Sequence, residues 1–89
     1  MPVEDVIVVI EDDPNIADLL NMYLREAGFR VYLAAEGERG LELTVQHRPS
    51  LCLIDAGLPG MDGLEVCRQL RVTHPDTAIM MVTARDSEL

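Results

Sequence analysis

Acidic side chains break the apolar runs of this 89-residue chain at two places: Glu11-Asp12-Asp13 directly follows Val6-Ile7-Val8-Val9-Ile10, and Asp55 directly follows Leu51-Cys52-Leu53-Ile54. A further apolar run, Ala78-Ile79-Met80-Met81-Val82, ends in Thr83. Carboxylates can act as nucleophiles, proton carriers or hard oxygen ligands, and a threonine hydroxyl can donate to an anionic oxygen. Were Glu11, Asp12 and Asp55 to converge at about 5 Å, each ionised pair would repel by roughly 3 kcal/mol at an effective dielectric near 20. Such a cluster needs a cation or a raised pKa. With only oxygen donors and no neighbouring His or Cys, the set favours Mg²⁺, which keeps several waters and takes few protein ligands.

The elements that would carry these residues follow from hydrophobic periodicity. The run 6–10 is β-branched and too short for a helix, as expected of a parallel strand buried on both faces. Asp13-Pro14 makes an N-cap and first helical position. From there Ile16, Leu19, Leu20, Tyr23, Leu24 and Ala27 recur at helical spacing until Gly28. Val31-Tyr32-Leu33-Ala34 reads as a second strand. Residues from about 38 to 47 read as a weaker helix with Leu41 and Val45 inward and Gly40 costing about 1 kcal/mol against alanine. The run 51–54 is a third strand that delivers Asp55 at its C-terminal end. A turn-rich loop, Gly57-Leu58-Pro59-Gly60-Met61, leads to Asp62 as the cap of a third helix carrying Leu64, Val66, Cys67 and Leu70 and ending at His74-Pro75. The run 78–82 is a fourth strand, with Met80 and Met81 in its core. Short strand-helix alternation implies right-handed crossovers and a doubly wound parallel α/β sheet. Ligands of such sheets bind outside the carboxyl ends of the strands, where Glu11, Asp12, Asp55 and Thr83 all fall.

Bulk composition narrows the partners. Sixteen acidic against seven basic residues give a formal charge of −9, which argues against direct contact with nucleic acid or an anionic membrane. Cys52 and Cys67 sit in apolar runs without CxxC or secreted disulfide spacing, so both are expected as reduced thiols. No apolar run approaches the roughly 20 residues of a membrane span, and the N-terminus lacks the basic region of a signal peptide, so the cytoplasm is the expected compartment. His47 and His74 stand at predicted helix ends, where a cation is favoured and a structural role is expected.

Three motifs at successive strand ends carry a specific resemblance. Ile10-Glu11-Asp12-Asp13-Pro14, Leu53-Ile54-Asp55 with Leu58-Pro59-Gly60-Met61-Asp62-Gly63, and Val82-Thr83-Ala84-Arg85 resemble the receiver domain of two-component response regulators, most closely the OmpR/PhoB-type transcription factors. The resemblance implies a flavodoxin-like (CheY-like) fold of strand order 2-1-3-4. It implies that Asp55 accepts a phosphoryl group from a phosphohistidine on a sensor histidine kinase. Asp12, Asp55 and the Gly57 carbonyl would hold Mg²⁺, with Glu11 acting through a coordinated water and Thr83 donating to a phosphoryl oxygen. Such a domain is a phosphoacceptor that catalyses at most its own phosphotransfer and dephosphorylation.

The pattern also departs from that family. The expectation for residues 1–89 is an incomplete receiver domain, lacking the fifth strand, the last two helices and the lysine after strand five; all seven basic residues are arginine. The fourth strand would then be an exposed apolar edge, and self-association, for instance as a homodimer, is expected. The alternative reading is a receiver-like interaction or self-associating fragment that never carries phosphate. A haloacid-dehalogenase-type hydrolase fits poorly, because Gly57 stands where that pattern needs a second aspartate.

Overall fold

A computed structural model describes residues 5–58 and 60–82. Four five-residue strands, β1 (Val6–Ile10), β2 (Arg30–Ala34), β3 (Leu51–Asp55) and β4 (Ala78–Val82), alternate with helices α1 (Pro14–Glu26), α2 (Gly37–His47) and α3 (Gly63–Thr73). All strand pairings are parallel, in the order β2-β1-β3-β4. This is the CheY-like doubly wound sheet with the expected strand order. Thr83, Ala84 and Arg85 lie outside the described residues.

Alternation along the strands splits the core in two. Val8 and Ile10 of β1, with Cys52 and Ile54 of β3, point to the face covered by α2 and α3, where they pack with Leu43, Leu58, Val66 and Leu70. Ile7, Val9, Val31 and Leu53 point to the opposite face, against Leu20 and Leu24 of α1. Ile10, Ile54, Val66 and Leu70 have no exposed surface, and burying each such side chain contributes about 1.5–3 kcal/mol.

Local signals place the helices. Asp13 caps α1: its carboxylate accepts from the Asn15 and Ile16 N–H groups at 2.9 and 3.4 Å. Gly28, with φ +100°, turns the chain out of that helix. Asp62 caps α3 by accepting from Glu65 N–H at 2.9 Å. Beyond α3, Arg71 donates to the carbonyls of Pro75 and Thr77, and the Thr77 hydroxyl donates to Pro49. These bonds pin the start of β4 beside the start of β3.

Several expected inward residues face solvent. In α2 the buried stripe is Gly37, Gly40, Leu43 and Thr44, with Leu41 only half-buried and Val45 66% exposed. Glycine and threonine carry that stripe, so a count of large apolar residues points to the wrong side. Leu64 of α3 is exposed, as are Leu19 and Tyr23 of α1 and Ala27 at its C-cap, and within α1 Ala17 alone is buried. Met80 and Met81 are 54% and 37% exposed, because β4 is the outermost of the described strands and α1 packs against β1 and β2 instead. His47 is half-buried, its ring stacked on Tyr32 at 3.7 Å between centroids. That contact gives it the structural role expected of it.

The Gly40 backbone lies directly on Ile10, and a Cβ there would meet the Cδ1, Cγ1 and Cγ2 atoms of that fully buried, β-branched side chain. Overpacking a core costs about 1–3 kcal/mol, against about 1 kcal/mol gained in helix propensity. Gly40→Ala is therefore expected to lower stability, with a reduced urea midpoint at unchanged m-value. A raised midpoint would show that α2 can back away from β1.

Candidate functional site

The site forms where the chain diverges. From β1 it leaves to α1 on one face of the sheet, and from β3 it leaves to α3 on the other, although the two strands are adjacent. The connections part at the carboxyl ends of β1 and β3 and leave a crevice between them. The residues that continue the two strands line it.

Glu11 is fixed by the backbone. Its N–H donates to Ala34 O at 2.9 Å, prolonging the β1–β2 ladder by one step. The side chain is 6% exposed and its Oε2 accepts from the Asp13 N–H at 3.1 Å. Asp55 is the last residue of β3, in register with Val82 of β4 and half-buried, and its Oδ1 accepts from the Gly57 N–H at 3.0 Å. Asp12 is exposed. One carboxylate oxygen from each of Glu11, Asp12 and Asp55 lies within 4.8 Å of the others. The structure thus brings together three of the residues expected at the site. Asp13 and Asp62 serve as caps, as expected, and Thr83 lies outside the described residues.

Enclosing one of these acids beside the other two shifts its protonation. Burial pushes the Glu11 carboxyl up from an ordinary 4.5 to about 7. The Asp13 N–H opposes that rise, while a hydrogen bond to Asp55 and the charges of Asp55 and Asp12 add to it. The donor set is all oxygen, combining one buried, one half-buried and one exposed carboxylate, which fits a hard divalent cation that retains solvent ligands on its open side.

The loop after Asp55 is held at several points. Leu58 is buried in the core beside α3, Met61 packs against the same cluster, and Gly60 takes a positive φ of +72°. Two glycines that the sequence pattern left without a role, Gly37 and Gly63, make close approaches here. The Asp-Gly step at the head of α3 was the only hint of the second. Next to the loop a cleft of about 160 Å³ opens between Glu36, Gly37, Glu38, Gly60 and Met61.

Comparison with known proteins places this geometry. The response regulator receiver domain model matches residues 7–89. Among solved structures, the BeF3-activated receiver domain of RstA from Klebsiella pneumoniae is 36% identical at a TM-score of 0.85, over 94% of this chain and 71% of that one. TrrA from Thermotoga maritima, in complex with Mg(2+)-BeF, is 34% identical at a TM-score of 0.87, over 92% and 71% of the two chains. A CheY-like receiver protein from Methanospirillum hungatei is 29% identical at 0.90, over 96% and 68%. With the motifs, the strand order and the acidic crevice in agreement, the chain belongs to the response regulator receiver domain family.

Proposed function

We propose that this domain is the phosphoacceptor of a two-component phosphorelay, with Asp55 as the acceptor and Mg²⁺ as the required ion. The observation that carries the reading is the gathering of Glu11, Asp12 and Asp55 oxygens within 4.8 Å at the crevice. Asp12 and Asp55, with the Gly57 carbonyl, are assigned as direct ligands and Glu11 as a ligand through water. When bound, the ion supplies positive charge that offsets both the carboxylates and the phosphoryl oxygens. That relatives are known as BeF3-activated and Mg(2+)-BeF-bound forms supports this assignment.

In the transfer step an Asp55 oxygen attacks the phosphorus of a phosphohistidine on a sensor histidine kinase. The P–N bond breaks, an acyl phosphate forms, and the departing imidazole leaves neutral after taking up a proton. The Gly57 N–H holds Asp55 Oδ1 and so orients the carboxylate. Thr83 is assigned to donate its hydroxyl to a phosphoryl oxygen. The chemistry is confined to this domain's own aspartate, with no external substrate turned over. The Glu-Asp pair and the Leu-Pro-Gly-Met-Asp-Gly loop, together with the likeness to RstA, support an OmpR/PhoB-type transcriptional regulator in the cytoplasm as the parent protein. The exposed Met80 and Met81 on β4, a strand without charge or proline, support self-association. No described helix is long and apolar enough to cross a membrane.

Incubation with acetyl phosphate and Mg²⁺ is expected to add one phosphoryl group, detected by intact mass, with none in excess EDTA and none in Asp55→Asn. Labelling that survives Asp55→Asn would defeat the assignment.

The raised Glu11 pKa sets a pH dependence. Without metal, the folded chain keeps a proton that the unfolded chain releases between about pH 4.5 and 7. This group's contribution to stability therefore falls as pH rises through that window and levels off above it. Cation binding requires the deprotonated form, so the thermal stabilisation given by Mg²⁺ should be larger at pH 8 than at pH 5.5. Glu11→Gln should flatten the metal-free profile. Equal Mg²⁺-induced Tm shifts at the two pH values would count against a proton held at Glu11.

A further inference from the structure

We infer that Gly63 is a positioning residue for the phosphoacceptor: the first residue of α3 bears on the backbone of Asp55, and a side chain there would open the carboxylate cluster. The inference rests on the reading of Asp55 given above. Gly63 is buried, and a Cβ at this position would stand 2.5 Å from the Asp55 carbonyl oxygen, 2.9 Å from Ala56 Cα and 3.2 Å from the Asp55 carbonyl carbon. All three are backbone atoms and cannot rotate aside. The requirement is for space, since Gly63 has no positive φ.

The two other crowded glycines differ in kind. The nearest atom to a Cβ on Gly37 is Val66 Cγ2 at 2.6 Å, and a Cβ on Gly40 would meet Ile10. In both the nearest atom belongs to a side chain, and the backbone atom beside Gly37, the Met61 carbonyl oxygen, is at 3.4 Å. At Gly63 the crowding falls on the backbone of the acceptor residue itself. Both ends of the intervening loop are already tied, by Gly57 N–H to Asp55 Oδ1 and by Glu65 N–H to Asp62 Oδ1. The strain of an added methyl therefore passes into the Asp55–Ala56 peptide. Restoring an ordinary 3.4–4 Å contact needs a shift on the order of 1 Å, a misplacement that can cost about 100-fold in a positioned reaction.

The test is a Mg²⁺ titration of the 89-residue chain followed by NMR at the amides of Glu11, Asp12, Asp55 and Gly57, for wild type, Gly63→Ala and Gly37→Ala. The expected result is an apparent Kd for Mg²⁺ raised at least about tenfold in Gly63→Ala, with a comparable fall in the rate of labelling by acetyl phosphate. Gly37→Ala should lower Tm yet keep the Kd within about twofold of wild type, because a side chain absorbs its methyl. Should Gly63→Ala be largely unfolded, trimethylamine N-oxide is added to restore the fold and all three titrations are repeated in it. A wild-type Kd in folded Gly63→Ala overturns the inference and leaves the metal site standing. A wild-type chain whose amides ignore Mg²⁺ overturns the metal site, and the inference with it.

Discussion

Mutual repulsion among Glu11, Asp12 and Asp55 is the constraint around which the rest of the molecule is arranged. Left to themselves the three carboxylates would separate into solvent, since each close ionised pair costs roughly 3 kcal/mol at protein-like dielectric. What keeps them together is the parallel pairing of β1 with β3, which aligns Ile10 with Ile54 and so sets the next residues of both strands side by side. The buried side chains of those strands on both faces of the sheet hold that register. Apolar burial far from the crevice thus sustains an arrangement that is electrostatically unfavourable within it. On the proposed reading, a divalent cation would reverse the sign of the local term, and the same spacing would serve as a coordination shell.

Much of this was legible in the sequence because its strongest signals act over short distances. Continuous apolar runs placed all four described strands to within a residue, and Asp13-Pro14 and Asp62 marked helix starts by side-chain capping. The carboxylates that interrupt two of the strand ends marked the place where Glu11, Asp12 and Asp55 gather. The failures have a common cause. Val45, expected inward, and Leu64 are apolar yet exposed, because the faces that reach the sheet also depend on residues that allow close approach: Gly37 and Gly40 in α2 and Gly63 in α3. Small size is a packing signal, and hydrophobic periodicity does not register it. Met80 and Met81 have core composition, and their exposure follows from the position of β4 in the strand order. That is a property of topology rather than of local pattern.

The helices contribute more than cover. α2 and α3 lie on the face toward which Ile10 and Ile54 point, and both begin at the end of the sheet where the carboxylates gather. Gly37 opens α2 against Val66 and Met61, while Gly63 opens α3 against Asp55. The loop that follows Asp55 is thereby approached from two sides by the glycines that open these helices. Contacts of this kind have little compliance, since a closely packed interior transmits displacement rather than absorbing it.

Unequal burial of the three carboxylates decides how the crevice can be approached. Glu11 is enclosed beside the β1–β2 ladder, Asp55 is half-covered, and Asp12 faces solvent. Desolvation therefore falls chiefly on Glu11, which is the group pushed toward the protonated form. Glu11 lies deepest in the crevice, and the other two carboxylates sit on its accessible side. On the proposed reading, a cation arriving from solvent would reach Asp12 and Asp55 before Glu11. The geometry thus separates two tasks. On that reading, the buried acid would tune the charge of the site and the two aspartates at its mouth would meet what enters.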